Sequence, residues 1–388
     1  MKKNILIITS IFSGKSYSGS DRYTHEIANL LSIDNYVTIC TTTSQDYVRW
    51  DSHFTEGFSY IDKIKINRFK PNYERNISKF NKNLRKLIKK KNVKSSDYEK
   101  FIIEQGPLVP KMIEYIKYSL NNFDLIIFIG YLYYPIVYGI PLCKNKSIII
   151  PTLHDEIVAY FPIYKDLLSI DLVYSFNTPE ELEVYKKIYN RVPEKYSIIG
   201  TCITLNPISI PDKSNMYGNY ILYVGRVDSG KGVGQLISFY KEWKKRYNSD
   251  YKLLIAGGGG NPINSDSDIV FLGYVTEDEK YFLIKNSIFL INPSPMESFS
   301  IIIMEAWLFK KAVIVNSMSD TMKNHCLRAN AGLFYTDIYD FMETLNFIIQ
   351  NPSKRNMMGE NGKRYVEENY SPKIILSKFE QIFSYFKA

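Results

Sequence analysis

Cysteine is scarce. Cys40, Cys143, Cys202 and Cys326 are the only four in 388 residues, and they stand far apart with no C-x-x-C pair. That excludes a disulfide framework and a cysteine zinc site, and it fits a reducing cytoplasm. Long apolar runs are also missing. The uncharged stretch Leu125 to Leu142 comes nearest to the about 20 residues of a spanning helix. Gly130, Pro135, Gly139, Pro141 and four tyrosines break it, so it reads as a buried strand over 125–129, a turn at Gly130 and a short buried helix. Ile5 to Ile8, after Met1-Lys2-Lys3-Asn4, are too few for the apolar centre of a signal peptide, and no small-residue cleavage site follows. They read as a first buried strand. No internal repeat stands out. Acidic charge is the smaller share, 40 Asp and Glu against 49 Lys and Arg, for a net charge of +9. The balance points to an anionic partner without naming it. No nucleic-acid recognition motif accompanies it, so nucleic acid is not expected.

What is present is ordinary for a globular protein, with 45% hydrophobic and 23% charged residues. The length suits two α/β domains better than one core. Short β-rich apolar runs alternate with amphipathic helical stretches, the pattern of parallel sheets covered on both faces. Strands are predicted at 5–9, 37–41, 125–129, 147–152 and 172–176, then at 220–224, 252–256, 269–272, 288–291 and 312–315. Asn206-Pro207, Pro211-Asp212 and Lys213-Ser214-Asn215 break periodicity between Leu205 and Tyr217. The expected division is therefore 1–205 and 206–371, with a terminal helix in 372–388 packing back on the first domain. Lys79 to Lys100 holds nine Lys or Arg, with Phe80, Leu84, Leu87 and Ile88 on one helical face. Two readings stand: a solvated surface helix whose stripe joins the core, and a basic amphipathic helix leaning on an anionic membrane surface.

Two constellations carry chemistry. In the first, Asn292-Pro293-Ser294-Pro295-Met296-Glu297-Ser298-Phe299-Ser300 follows a predicted strand and leads into the apolar Ile301 to Ala306. Ser298 or Ser300 is the expected N-cap. Glu297 falls in the loop, and Glu305 about one and a half turns into the helix. Between them lies a helix N-terminus, which suits a phosphate. A sugar-diphosphonucleoside has hydroxyls at both ends and charge in the middle, so this arrangement matches its shape. In the second, Leu222-Tyr223-Val224-Gly225-Arg226-Val227-Asp228-Ser229-Gly230-Lys231-Gly232 is a strand, a glycine turn and a helix start. Arg226 can grip phosphate oxygens in a fork and Lys231 adds a point charge, which offsets the charge that grows on a leaving diphosphate. Asp266-Ser267-Asp268 has the D-x-D spacing of a metal site. It precedes a predicted strand in an Asn- and Ser-rich loop and reads as solvated, so no metal is expected.

The second half resembles the donor domain of glycosyltransferase family 4. The matching pieces are Tyr223-Val224-Gly225-Arg226 with Lys231-Gly232, Leu254-Ile255-Ala256-Gly257-Gly258-Gly259, Val270-Phe271-Leu272-Gly273-Tyr274-Val275, and the E-x7-E pair Glu297 and Glu305. The resemblance implies the GT-B fold, two Rossmann-like domains facing across a cleft. It also implies a retaining, metal-independent transferase whose donor substrate is a nucleotide-diphosphate sugar, with no other cofactor. It places Glu297 against the donor sugar, Glu305 on the ribose hydroxyls, and Arg226 and Lys231 on the diphosphate. Backbone at Gly273, Tyr274 and Val275 would meet the base. Gly225 and the loop residues Ser298, Phe299 and Ser300 complete the donor set. Ser-Phe-Ser-Ile-Ile stands here where the family usually has Gly-Phe-Gly-Leu-Pro. The first half is similar more weakly. Ser18-Gly19-Ser20-Asp21-Arg22-Tyr23 resembles the family's glycine loop, keeping only Gly19 of the usual pair. Ile150-Pro151-Thr152-Leu153-His154-Asp155-Glu156 resembles the strand end whose histidine contacts the donor sugar. A structural histidine is the alternative for His154, with Asp155 able to hold its tautomer. Asn177-Thr178-Pro179-Glu180-Glu181 reads equally as a helix cap and as an acceptor-facing turn.

The expected activity is transfer of a sugar to a glycan or lipid-linked acceptor in bacterial polysaccharide or lipopolysaccharide assembly, in the cytoplasm or on the inner face of the plasma membrane. The competing readings are an epimerase or phosphorylase on a similar fold, and an inactive nucleotide-sugar-binding partner. No clear signal for a phosphorylase's lysine-bound cofactor is present.

Overall fold

A computed structural model describes residues 2–14, 19–205, 216–259 and 265–386. Ser18 of the glycine loop and residues 206–215 of the expected linker lie outside them. The chain divides into two units, Met1–Cys202 with Pro372–Ala388, and Ile203–Ser371.

The first unit runs β1 (Asn4–Ile8), α1 (Gly19–Ser32), β2 (Tyr36–Thr42), β3 (Gly57–Ile61), β4 (Ile64–Phe69), α2 (Ile77–Lys89), α3 (Ser95–Gln105), α4 (Pro110–Ser119), β5 (Leu125–Ile129), α5 (Tyr134–Cys143), β6 (Ser147–Ile150), α6 (Pro162–Leu167), β7 (Val173–Phe176), α7 (Pro179–Tyr189) and β8 (Lys195–Ile198). Among the described residues its sheet has the order β3-β4-β2-β1-β5-β6-β7-β8. Only the β3–β4 pair is antiparallel. The central strands are buried on both faces, which is why β1, β5 and β6 read as unbroken apolar runs. β3 and β4 carry no such run. β3 is an edge strand with Phe58 and Tyr60 exposed, and β4 interleaves Lys65, Asn67 and Arg68 with its apolar residues.

The stretch from Lys79 to Lys100 is two helices rather than one, because α2 ends at Lys89 and α3 begins at Ser95. Phe80 is buried, and Leu84 and Leu87 pack against the same core. Ile88, assigned to that stripe from its spacing, is 42% exposed, since helical spacing alone does not say how far the core reaches along a short helix.

The second unit runs β9 (Tyr220–Val224), α8 (Val233–Tyr247), β10 (Lys252–Ala256), β11 (Ile269–Gly273), α9 (Glu277–Asn286), β12 (Leu290–Asn292), α10 (Ile301–Leu308), β13 (Val313–Asn316), α11 (Asp320–Ala329), β14 (Gly332–Tyr335), α12 (Ile338–Gln350) and α13 (Pro352–Tyr370). Its parallel sheet has the order β11-β10-β9-β12-β13-β14. The terminal α14 (Pro372–Ser384) belongs to the first unit, against α1 and β8. Lys378 Nζ donates to the Ile199 carbonyl at 3.2 Å, and Ile375, Phe379, Ile382 and Phe383 are buried. The described residues contain no helix long and apolar enough to cross a membrane.

Candidate functional site

Sheet order decides where ligand chemistry can gather. In the second unit the chain leaves β9 toward β10 and later returns to β12 on the other side of β9. The two loops leaving the carboxyl ends of β9 and β12 therefore diverge at a topological switch point, where doubly wound sheets bind ligands. Lys231 comes from the first loop and Glu297 from the second. Their Nζ and Oε1 lie 2.6 Å apart, with side chains only 24% and 17% exposed.

The loop after β9 is held by its own residues. Tyr223 Oη donates to the Arg226 carbonyl at 2.7 Å. Asp228 Oδ1 accepts from Lys231 N at 3.0 Å, and its other oxygen lies 3.3 Å from Arg226 Nη1. Asp228 thus ties Arg226 to Lys231, a role that sequence reading did not assign to it. Gly232 has φ +72, and a Cβ there would stand 2.5 Å from the Pro293 carbonyl oxygen of the β12 loop. Only glycine lets the two loops approach this closely.

The β12 loop is shaped by Asn292, whose Oδ1 accepts from Ser294 N at 3.1 Å and whose Nδ2 donates to Ser300 Oγ at 3.1 Å. Ser300 takes the N-cap position of α10 but makes no side-chain cap and adopts φ +66. The position is the expected one; only the side-chain cap is missing, and the hydroxyl is engaged by Asn292 instead. The positive φ explains why the related motif has glycine there: the position needs left-handed backbone, which costs a serine of order 1 kcal/mol. Ser298 is half-buried. Phe299 is buried edge-on to His325 and Tyr370. Glu305 is buried on α10, and its Oε1 accepts from Lys280 Nζ at 2.8 Å. Lys280, on α9, also escaped sequence reading.

At the carboxyl ends of β10 and β11, Gly257 N donates to the Gly273 carbonyl at 2.7 Å. Tyr274 is 79% exposed, and its ring lies so close to Gly258 that a Cβ there would be 2.0 Å away. Val275 beside it is half-buried. Gly225, Arg226, Lys231, Tyr274, Val275, Glu297, Ser298, Phe299 and Ser300 lie on the loops or single turns that follow strands of this sheet, Gly273 ends β11, and Glu305 lies in the second turn of α10.

Gly19 and His154 belong to the first unit. Gly19 opens α1 with open space around it. Two residues on, Asp21 is buried and accepts from Ser13 N at 2.9 Å and from the Ser13 hydroxyl. His154 is half-buried after β6, just beyond Thr152, a β-branched residue at φ +50. Such strain tends to collect at functional sites. The Asp155 carboxylate accepts from Tyr160 Oη at 2.7 Å and Lys187 Nζ at 2.6 Å. The residue that holds this loop is Glu181, fully buried on α7. It accepts from Leu153 N at 2.7 Å and Asn177 N at 2.6 Å. Thr178 caps α7, accepting from Glu181 N, with Pro179 in the first turn, so the capping reading of this segment describes its geometry.

Burial pushes the Glu181 carboxyl up from 4.5 to about 7, against the pull of the Asn177 and Leu153 N–H groups. A folded value above the unfolded one means that its contribution is full below pH 4.5 and is lost as pH rises toward 7, about 3 kcal/mol in all. His325 in the second unit runs the other way. Burial, and then Arg328, hold its pKa well below 6.5, with Tyr365, Tyr370 and Phe299 against its ring. Its contribution is full above pH 6.5 and fades as pH falls. Glu181→Gln should flatten the stability loss between pH 4.5 and 7, and His325→Gln the loss below 6.5. Denaturant unfolding across that range reads both; slopes equal to wild type would refute the assignments.

In the D-x-D segment, Asp266 Oδ1 accepts from Asp268 N and Ile269 N at 2.8 and 2.7 Å, and Asp268 pairs with Lys244 at 2.7 Å. These contacts build a turn. No cluster of potential metal ligands occurs among the described residues. All four cysteines are buried and unpaired.

Residues 209–365 match the family described as glycosyl transferases group 1. An uncharacterised glycosyltransferase of Methanocaldococcus jannaschii is 29% identical over 211 residues, 50% of this chain and 52% of the relative. The capsular polysaccharide biosynthesis glycosyltransferase CapM of Staphylococcus aureus is 29% identical over 187 residues, 43% and 47% of the two chains. The match therefore spans about half the length of each relative. Among solved structures, sucrose-phosphate synthase of Thermosynechococcus elongatus superimposes with a TM-score of 0.72 at 14% identity, covering 99% of both chains. Anabaena HepE, solved with UDP and glucose, gives 0.68 at 13% identity, covering 99% of this chain and 100% of its own. At these identities the likeness establishes the fold, GT-B with two parallel-sheet units.

Proposed function

We propose, from the match of residues 209–365 to the group 1 glycosyltransferases, that the chain moves a sugar, with retention, from a nucleotide-diphosphate donor to a glycan or lipid-linked acceptor. The observation that carries the reading is the Lys231–Glu297 pair at the switch point, with Arg226 tied to it through Asp228. UDP bound to HepE and the capsular role named for CapM support the donor class and the setting in surface polysaccharide assembly.

The chemistry follows from the charges. With no donor, Lys231 and Glu297 neutralise each other. A donor diphosphate competes for the ammonium, and Arg226 adds a planar fork that Lys cannot supply. The released Glu297 carboxylate then faces the sugar and favours the positive charge that develops at the anomeric carbon. The N–H groups at the start of α10 add a favourable dipole for the departing phosphate. That phosphate oxygen takes the acceptor proton, so attack occurs on the face the leaving group vacates. Glu297 positions the donor, and no covalent nucleophile is assigned. No step calls on a metal.

Incubation with UDP-, GDP- and ADP-sugars, with and without glycan and lipid-linked acceptors, tests this. Mass spectrometry should find acceptor-dependent transfer, and NMR should find the anomeric configuration unchanged. Acceptor-independent isomerisation would favour an epimerase, phosphate-dependent cleavage a phosphorylase, and tight nucleotide binding without turnover an inactive partner. The apolar stripe of α2 is largely spent in the core, so a membrane contact at residues 79–100 would be electrostatic. Flotation with vesicles containing anionic lipid, lost on raising salt, is the expected result; equal flotation with neutral vesicles would remove it.

A further inference from the structure

Resting on the reading of Glu305 as the ribose-holding carboxylate, we propose that Lys280 is a positioning residue for donor binding, which orients Glu305 and so sets discrimination between ribose and deoxyribose. Lys280 lies on α9, whose start is fixed by a capping box between Thr276 and Glu279. Its Nζ stands 2.8 Å from Glu305 Oε1 and 2.8 Å from Glu277 Oε1, and 4.7 Å from the centre of the Tyr281 ring. The ammonium is held on three sides.

Burial makes this contact consequential. The Glu305 side chain is 2% exposed and that of Lys280 10%, whereas Glu277 is 37% exposed. A carboxylate removed from water is costly unless a charge or hydrogen bonds compensate it. Lys280 supplies that charge and anchors one oxygen. A carboxylate has about four lone-pair sites, so anchoring Oε1 leaves capacity for sugar hydroxyls while fixing the plane of the group. Glu277, from the first turn of α9, holds the lysine from the far side. The pairing spans 25 residues and joins α9 to α10, so the ribose carboxylate is set by an element outside the E-x7-E motif. A site built to hydrogen-bond a hydroxyl rejects the analogue that lacks it, because its buried polar groups are then left unpaired. That selectivity requires a correctly oriented carboxylate.

The test compares Lys280→Met, Lys280→Gln, Lys280→Arg and Glu305→Gln in the full chain, with folding checked by thermal unfolding. The probe is whichever of UDP, GDP and ADP binds wild type most tightly, beside its 2′-deoxy counterpart. Lys280→Met and Lys280→Gln should weaken the ribonucleotide about tenfold, leave the deoxynucleotide nearly unchanged, and so collapse the ratio between them. In transfer assays they should raise donor KM with kcat nearly unchanged, and Lys280→Arg should recover most of the ratio. A lysine that only braces the fold would weaken both nucleotides alike. If Lys280→Met and Lys280→Gln keep the wild-type ratio while Glu305→Gln loses it, the inference is overturned and the Glu305 reading survives. If Glu305→Gln itself keeps the ratio, or no nucleotide binds wild type, the donor-site reading fails and takes the inference with it.

Discussion

Glu297→Gln should lower kcat/KM for transfer by about 10²- to 10³-fold, the scale on which preorganised electrostatic groups act, while the nucleotide diphosphate binds at least as tightly as before. The two halves of this expectation have one cause. The replacement keeps the shape and removes the charge, so Lys231 Nζ, now 2.6 Å from the carboxylate, loses its competitor and turns to phosphate. The carboxylate that would offset charge at the anomeric carbon is gone. The pair is partly exposed, so breaking it costs the fold only about 1 kcal/mol. Initial rates followed by mass spectrometry, beside calorimetric titration of the nucleotide diphosphate, read both quantities. Turnover at the wild-type level would end the assignment of Glu297. An equal loss of binding and rate would make it a structural residue instead.

The second large effect is structural. Gly257→Ala should destabilise the second unit by about 3 kcal/mol or more and lower its unfolding temperature by roughly 10 °C. Gly257 has φ +141, and a Cβ there would lie 1.8 Å from the Gly225 carbonyl oxygen. The obstacle is backbone, itself held by the Gly225 N–H on the Ala256 carbonyl at 3.0 Å. No side-chain rotation can relieve the clash. Because Gly225 begins the turn that carries Arg226, nucleotide binding should fall with stability. Gly19→Ala is the control: Gly19 opens α1 with nothing within 4 Å of its would-be Cβ, and alanine suits a helix. Differential scanning calorimetry of the two variants decides. A Gly257→Ala protein as stable as wild type would show that the loops after β9 and β10 can move apart freely.

Much of the fold could be read from residue order. β1, β5, β6, β9 and β10 are central strands, and burial on both faces writes them as short apolar runs. β3, β8 and β14 left no such mark because each is an edge strand with partly exposed positions. β4, second from the edge, mixes lysine, asparagine and arginine into its sequence. The α2–α3 break was invisible because lysine-rich spacing continues through it. Within the site, the glycine turn and the E-x7-E spacing were legible, since each is local. Asp228, Lys280 and Glu181 were not, because each takes its role from a partner that only folding brings near.

The sequence by itself determined the α/β class, the likeness to a donor domain and the glycine turn and E-x7-E loop on which Arg226, Lys231, Glu297 and Glu305 stand, because propensity, burial pattern and loop chemistry are written within a few residues of one another. Only the tertiary structure decided that Lys231 meets Glu297 across 66 residues and Lys280 meets Glu305 across 25. Those pairings depend on β12 lying beside β9 and on α9 lying beside α10. Neighbourhood in a sheet follows from how crossover helices pack, which no local spacing encodes.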